Sequence, residues 1–296
     1  RIQPGYFVPS GRDYLLWSMS EFGRPNTERY RPARKYIDSG SQFNVILRLR
    51  SSSDERIIYK AIAAFWLVAN LGALGSRARR GAGSIKVVIP ASNTPIPFKI
   101  CRSIEELREY LSSGIKECLK LVGGEGLYFD RPPKYDTLAP GAAEVWIVSD
   151  SANGWQTPEE ALEGIGSKLR DFRSYRSKIG KSDHDAILKW LSERDAPPRI
   201  KRAVFGLPLP FRYSEGGPSD VIVAKGVERR ASPLHIRITQ IETGYVGVLT
   251  LFKSQFLEKG TNLQLKMREW EAPPPTSYSV IQDFIQSFHN KREVNL

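Results

Sequence analysis

Ala64-Phe-Trp-Leu-Val-Ala-Asn-Leu-Gly-Ala-Leu-Gly-Ser-Arg-Ala-Arg-Arg-Gly-Ala-Gly-Ser84 carries an apolar run directly into a loop with four glycines and three arginines. Upstream, Ser52 and Glu55 make a capping box that predicts a helix from about Asp54, apolar on nearly every face as far as Ala69 and therefore deeply packed. Gly72 and Gly75 end that helix, and residues 85–90, with Val87 and Val88, read as a short strand. Each residue type in the loop has a physical use. Glycine reaches positive φ and lets a backbone approach a sugar-phosphate chain, while arginine offers planar forked donors to phosphate oxygens. Gly72, Gly75, Arg77, Arg79, Arg80, Gly81 and Gly83 thus form a candidate anion cradle, with a basic but purely structural helix-to-strand turn as the plainer alternative.

No Gly-Lys-Ser/Thr follows at Walker A spacing and no GxGxxG fingerprint is present, so a nucleoside triphosphate or dinucleotide is disfavoured. Residues 80–87 bear a faint likeness to an RRM strand motif without its stacking aromatics, which points to backbone rather than base contact.

Outward from the loop, residues 14–19 and 43–50 read as strands, the second by apolar residues at 43, 45, 47 and 49. An amphipathic helix is expected over 103–122, and the Gly- and Pro-rich stretch 123–143 after it reads as an insertion or linker. A strand over 144–149 precedes a helix opened by Thr157, Pro158 and Glu160, with Leu162, Ile165, Leu169 and Phe172 facing inward. Its other side carries Lys168, Arg170, Arg173, Arg176 and Lys178, either a solvated face or an RNA contact. A helix over 183–193, strands over 221–224, 234–238 and 245–252, the break at Pro273, Pro274 and Pro275, and a helix over 280–288 complete the pattern. Helices alternating with patterned strands, twice over, predict an α+β chain of two modules, residues 1–152 and 153–296.

Lys plus Arg number 44 against 32 Asp plus Glu, a net charge of +12 that favours a polyanionic partner. Further basic clusters are Arg29, Arg31, Arg34 and Lys35, flanked by Tyr30 and Tyr36 that could stack on bases, and Arg229-Arg230. The apolar stretch 57–74 is interrupted by Lys60 and Asn70, which argues against a membrane span, and the amino end lacks a signal-peptide layout, so a cytoplasmic location is expected. The two cysteines, Cys101 and Cys118, match no redox or zinc spacing, and Cys118 extends an apolar helical stripe. Asp183, His184 and Asp185 would point to different sides of a helix, so no metal site, cofactor or small-molecule substrate is expected.

The run 64–84, together with Phe205-Gly-Leu-Pro-Leu-Pro-Phe211 and Arg229-Arg-Ala-Ser-Pro-Leu-His-Ile-Arg237, resembles the RAMP superfamily of CRISPR systems, and more narrowly the RAMP subunit at the guide 3′ end of type III-B (Cmr) effector complexes. The resemblance spans most of the chain. It implies two ferredoxin-like (RRM-like, βαββαβ) domains, each with a glycine-rich loop, in a subunit that binds guide RNA, single-stranded target RNA and neighbouring RAMP subunits without cutting. Arg229 and Arg230 join the loop as RNA contacts chiefly on this ground. Ala82 stands where relatives commonly have an aromatic. Relatives also begin with a strand and a helix lacking here, so the first domain is expected to start partway through and the natural polypeptide to be longer than a chain opening on Arg1. The rival implied by the same superfamily is a metal-independent, guide-processing endoribonuclease using His235 or His184 as its acid-base group; a protein-only scaffold is the third reading.

Overall fold

The hairpin of Leu234–Ile241 and Gly244–Phe252 organises the molecule, because its alternating apolar residues supply two opposite faces. Leu234, Ile236, Leu249 and Leu251 point into one core, and Ile241, Val246 and Val248 into another. The structure is a computed structural model, and it describes residues 11–16, 19, 21, 26, 30–50, 54–88, 94–174, 177–193, 199–213 and 219–296.

In chain order the elements are α1 (Gly11–Leu16), α2 (Arg56–Asn70), β1 (Arg80–Gly81), α3 (Ile104–Val122), β2 (Ala143–Ser149), α4 (Pro158–Arg173) and α5 (Lys178–Glu193). A 3-10 turn at Lys201–Phe205 leads to β3 (Leu209–Arg212), β4 (Ser219–Ala224), β5 (Leu234–Ile241), β6 (Gly244–Phe252), β7 (Leu263–Leu265), β8 (Glu271–Ala272), α6 (Ser279–Gln286) and β9 (Asn290–Val294). The main sheet has the order β1-β5-β6-β2-β9, with β1 parallel to β5 and the other pairs antiparallel.

Helices cover both faces of this sheet. On one, Ala161, Ile165 and Leu169 of α4 and Ile281, Phe284 and Ile285 of α6 pack on Leu249 and Leu251. On the other, Leu107, Leu111, Ile115 and Cys118 of α3, with Ala63 and Trp66 of α2, pack on Val145, Ile147 and Val248. The helix caps explain where α3 and α4 begin. Ser103 accepts from the Glu106 amide at 3.2 Å and Thr157 from the Glu160 amide at 3.1 Å, with Pro158 at the first helical position. A smaller sheet, β3-β4-β7-β8, is built from the excursions between α4 and β5 and between β6 and α6; its core holds Ile187, Phe211, Ile222, Leu263 and Trp270.

The mixed α+β class follows from these layers, but several local expectations change. Residues 14–16 are helical, not a strand: Leu15, 1% exposed, packs among the residues of α4, and a short apolar run does not distinguish the two states. Residues 43–50 have no regular secondary structure and belong to neither sheet, and Phe43, Val45, Ile46 and Leu47 are exposed. The pairing next to the loop is made by Arg80 and Gly81 rather than by residues 85–88, while residues 89–90 lie outside the described set. Glu55 stands at the start of α2 without a side-chain cap, and its expected partner Ser52 lies outside the described residues, as do Arg29 and Arg176. β2, expected in the module 1–152, is flanked by β6 and β9, so the main sheet runs across the 152/153 boundary. A strand buried on both sides between two late strands cannot be assigned from its own residues.

Candidate nucleic-acid interface

Backbone pairing first shapes the arginine-glycine loop. The Leu74 amide donates to the Gly83 carbonyl at 2.9 Å, the Arg80 amide to Arg77 at 2.8 Å, and the Ile236 amide of β5 to Arg79 at 3.2 Å. Gly81 (φ +85°) and Gly83 (φ +75°) have intramolecular reasons to be glycine. A Cβ on Gly81 would lie 2.5 Å from Leu162 Cδ2, and one on Gly83 would lie 1.8 Å from the Leu74 carbonyl oxygen. Gly75 (φ +99°) faces open space. The two ends of the loop are held by Arg237 of β5. Its Nη1 donates to Gly72 O at 2.8 Å, its Nη2 to Ile85 O at 2.6 Å and its Nε to Thr239 Oγ1 at 3.2 Å.

The fold brings the second basic pair to this loop across about 150 positions of sequence. Arg79 Nη1 donates to Ser232 O at 2.9 Å. Arg230 Nε donates to Phe256 O at 2.7 Å, and its backbone exchanges hydrogen bonds with Leu207. Both guanidiniums approach Asp136, Arg79 at 4.0 Å and Arg230 at 3.9 Å. Arg79 and Arg230 are therefore partly engaged inside the protein, whereas Arg229 is exposed.

Arg77 and Arg80 differ. Arg77 Nε, Arg80 Nη1 and Arg173 Nε are buried without a hydrogen-bond partner among the described residues. Burial, then repulsion from Arg173, Arg77 and Arg79, pulls Arg80 down to about 10, still charged at neutral pH. Arg77 is lowered by burial and by Arg229 and Arg34. Arg34 thus joins the field around the loop; its amide donates to Met19 O, and Ser76 Oγ reaches Met19 Sδ at 3.9 Å. Arg31 and Lys35 are exposed and make no described contact with the loop, and Tyr36 is exposed.

Sequence reasoning missed Asp136 and the parts played by Arg173, whose Nη1 donates to Tyr14 OH at 2.9 Å, and by Arg237. The basic side of α4 had flagged Arg173, and the 229–237 motif contained Arg237, but neither signal said what each would touch. On the same side, Lys168 donates to Ser287 O at 3.1 Å and lies 5.1 Å from the Phe288 ring centre, and Lys178 is exposed.

His235 borders the cluster. Its ring stands edge-on to Phe252 at 5.0 Å, Nε2 is buried without a partner among the described residues, and burial followed by repulsion from Arg79 lowers its pKa to about 4. His184 is engaged elsewhere, with Nε2 2.9 Å from Arg212 O, and Asp183 accepts from the Lys201 and Arg202 amides at 3.0 and 2.8 Å. Among the described residues no group of three or more His, Cys, Asp or Glu side chains is placed to hold a metal ion, and no helix is long and apolar enough to cross a membrane. The arrangement is a concentration of positive charge in which Arg77, Arg80 and Arg173 each keep one buried donor without a partner among the described residues.

No family model matches the chain. Over 261 residues, 86% of its length, it is 26% identical to the CRISPR system Cmr subunit Cmr1-1 of Pyrococcus furiosus, and it spans 64% of that relative. It is 53% identical over 53 residues to Cmr subunit Cmr1-2 of the same organism, a match covering 18% of this chain and 27% of the relative. The crystal structure of Cmr1 from Pyrococcus furiosus in its apo form aligns with 83% of this chain and 61% of its own, at a TM-score of 0.42 and 20% identity, too loose an overlap to transfer any contact.

Proposed function

We propose that this homologue of the Cmr1 subunit of Pyrococcus furiosus is a non-catalytic RNA-binding subunit of a type III-B CRISPR interference complex. It meets guide RNA near its 3′ region, single-stranded target RNA, or both, and packs against other RAMP subunits in the cytoplasm as part of antiviral defence. Its path β2-α4-β5-β6-α6-β9, with spatial order β5-β6-β2-β9, is read as one ferredoxin-like domain, and the segment carrying α2, the arginine loop and α3 as the described part of a second.

One observation carries the RNA reading. Two basic segments distant in sequence converge, with Arg77 and Arg80 keeping buried donors that no protein acceptor satisfies among the described residues. Leaving such donors unpaired costs on the order of 1–3 kcal/mol each, and a phosphate oxygen would relieve it. The non-catalytic reading is favoured over a nuclease centred on His235, since a histidine with a pKa near 4 is a weak base and is almost wholly neutral at pH 7.

The test compares single-stranded RNA binding by the wild type and by Arg77→Ala/Arg80→Ala/Arg229→Ala, with folding checked. Three phosphate contacts weaken wild-type binding roughly 20-fold between 50 and 200 mM salt, and the triple variant loses that part of the salt dependence. Equal affinity and equal salt slope for the two proteins would sink the assignment, and RNA cleavage that disappears in His235→Ala would favour the nuclease.

A further inference from the structure

The loop between α3 and β2 has no assigned role, yet it is closed on itself, tied to the residues that follow β6, and brought to the arginine cluster through Asp136. The Phe129 amide donates to Pro140 O at 3.1 Å, Gln255 to Pro133 O at 2.8 Å and Lys253 to Ala142 O at 2.7 Å. Ser254 Oγ donates to Asp136 Oδ1 at 2.6 Å, and Asp136 is the carboxylate that Arg79 and Arg230 both approach. The residue just before it, Tyr135, is nevertheless 71% exposed, and Lys134 Nζ lies 5.5 Å from its ring centre. Arg131 is exposed on the same stretch.

An aromatic ring held out to solvent on a pinned backbone, one residue from a carboxylate shared by two arginines, suits a planar ligand with an anionic backbone. Resting on the RNA-binding reading above, we propose that this loop extends the RNA surface and that Tyr135 is a ring on which a base stacks while the neighbouring cations meet phosphates. Every base has a π-face, so such a contact is tolerant of sequence, and its contribution does not depend on counterion release.

The experiment measures binding of the full chain to a labelled oligouridylate and to an abasic ribose-phosphate oligomer of the same length. Tyr135→Ala is expected to weaken oligouridylate binding about tenfold and leave abasic binding and the salt slope unchanged, with Tyr135→Phe close to wild type. The thermal midpoint should not move, because the ring is exposed. If Tyr135→Ala binds oligouridylate as the wild type does, or loses both ligands equally, the stacking role is overturned while the RNA reading stands. If the wild type binds neither oligomer, the RNA reading fails and the proposal with it.

Discussion

Arg237 and Arg80 lie on neighbouring strands, with Gly81 opposite Arg237 in the pairing of β1 with β5, and burial pulls both down to about 10. Their partners separate them. Arg237, 4% exposed, spends its donors on the Gly72 and Ile85 carbonyls and on Thr239, so its charge is enclosed but satisfied. Arg80 has a buried Nη1 with no partner among the described residues and feels Arg173, Arg77 and Arg79 around it. The same residue type thus serves as a clasp at the foot of the loop and, on the neighbouring strand, as a buried donor without a partner among the described residues. Hydrogen-bonding complement, rather than burial or charge, tells the two roles apart.

The largest effect expected from breaking this contrast is at the clasp. Arg237→Met leaves two half-buried carbonyls without their donor and should destabilise the fold by roughly 4 kcal/mol, seen as a thermal midpoint lower by about 10 °C. A change within error would mean that the loop is held by its backbone bonds alone.

The next effect comes through His235, which burial first and then repulsion from Arg79 hold as the neutral imidazole. Its pKa falls from the usual 6.5 to about 4 on folding, so the unfolded chain takes up a proton first as pH drops. Stability from this group is fully present above pH 6.5 and is lost as pH falls towards 4, by up to about 3 kcal/mol. Denaturant midpoints across that window should flatten in His235→Gln; an unchanged pH profile in the variant would mean that the ring is solvated.

Arg80→Met gives the smallest change in stability and one of opposite sign, about 1 kcal/mol in favour of the fold, because an unsatisfied cation is exchanged for a hydrophobe. Its RNA affinity should fall roughly tenfold, the value of one charge-assisted contact. A destabilised Arg80→Met would place Arg80 with Arg237 as a structural group.

Much was legible in residue order. The stripe of Leu107, Leu111, Ile115 and Cys118 behind Ser103 predicts α3 almost to its ends, and Thr157-Pro158 fixes the start of α4, because caps and helical periodicity act over one or two turns. The alternation in β5 and β6 is equally local. What fails locally depends on a neighbour. Residues 43–50 have the pattern of a strand but belong to neither sheet, and β9, with Lys291, Arg292 and Glu293 in its five residues, lacks the pattern yet has β2 beside it. Hydrogen bonding to a partner, rather than side-chain order, makes a strand.

The sequence by itself determined that this protein carries a basic loop rich in glycine and arginine after an apolar helix, because composition and backbone preference are properties of the local chain. The expected deep packing of that helix does not hold, since Ile57 and Tyr59 of α2 are exposed and its buried residues are Ala63, Trp66 and Ala69. Only the tertiary structure decided which arginines are spent and which are free. Whether a guanidinium finds carbonyls, a carboxylate or nothing depends on strands and loops far away in the sequence, as Arg237 with Gly72, Arg79 with Ser232 and Arg230 with Asp136 show.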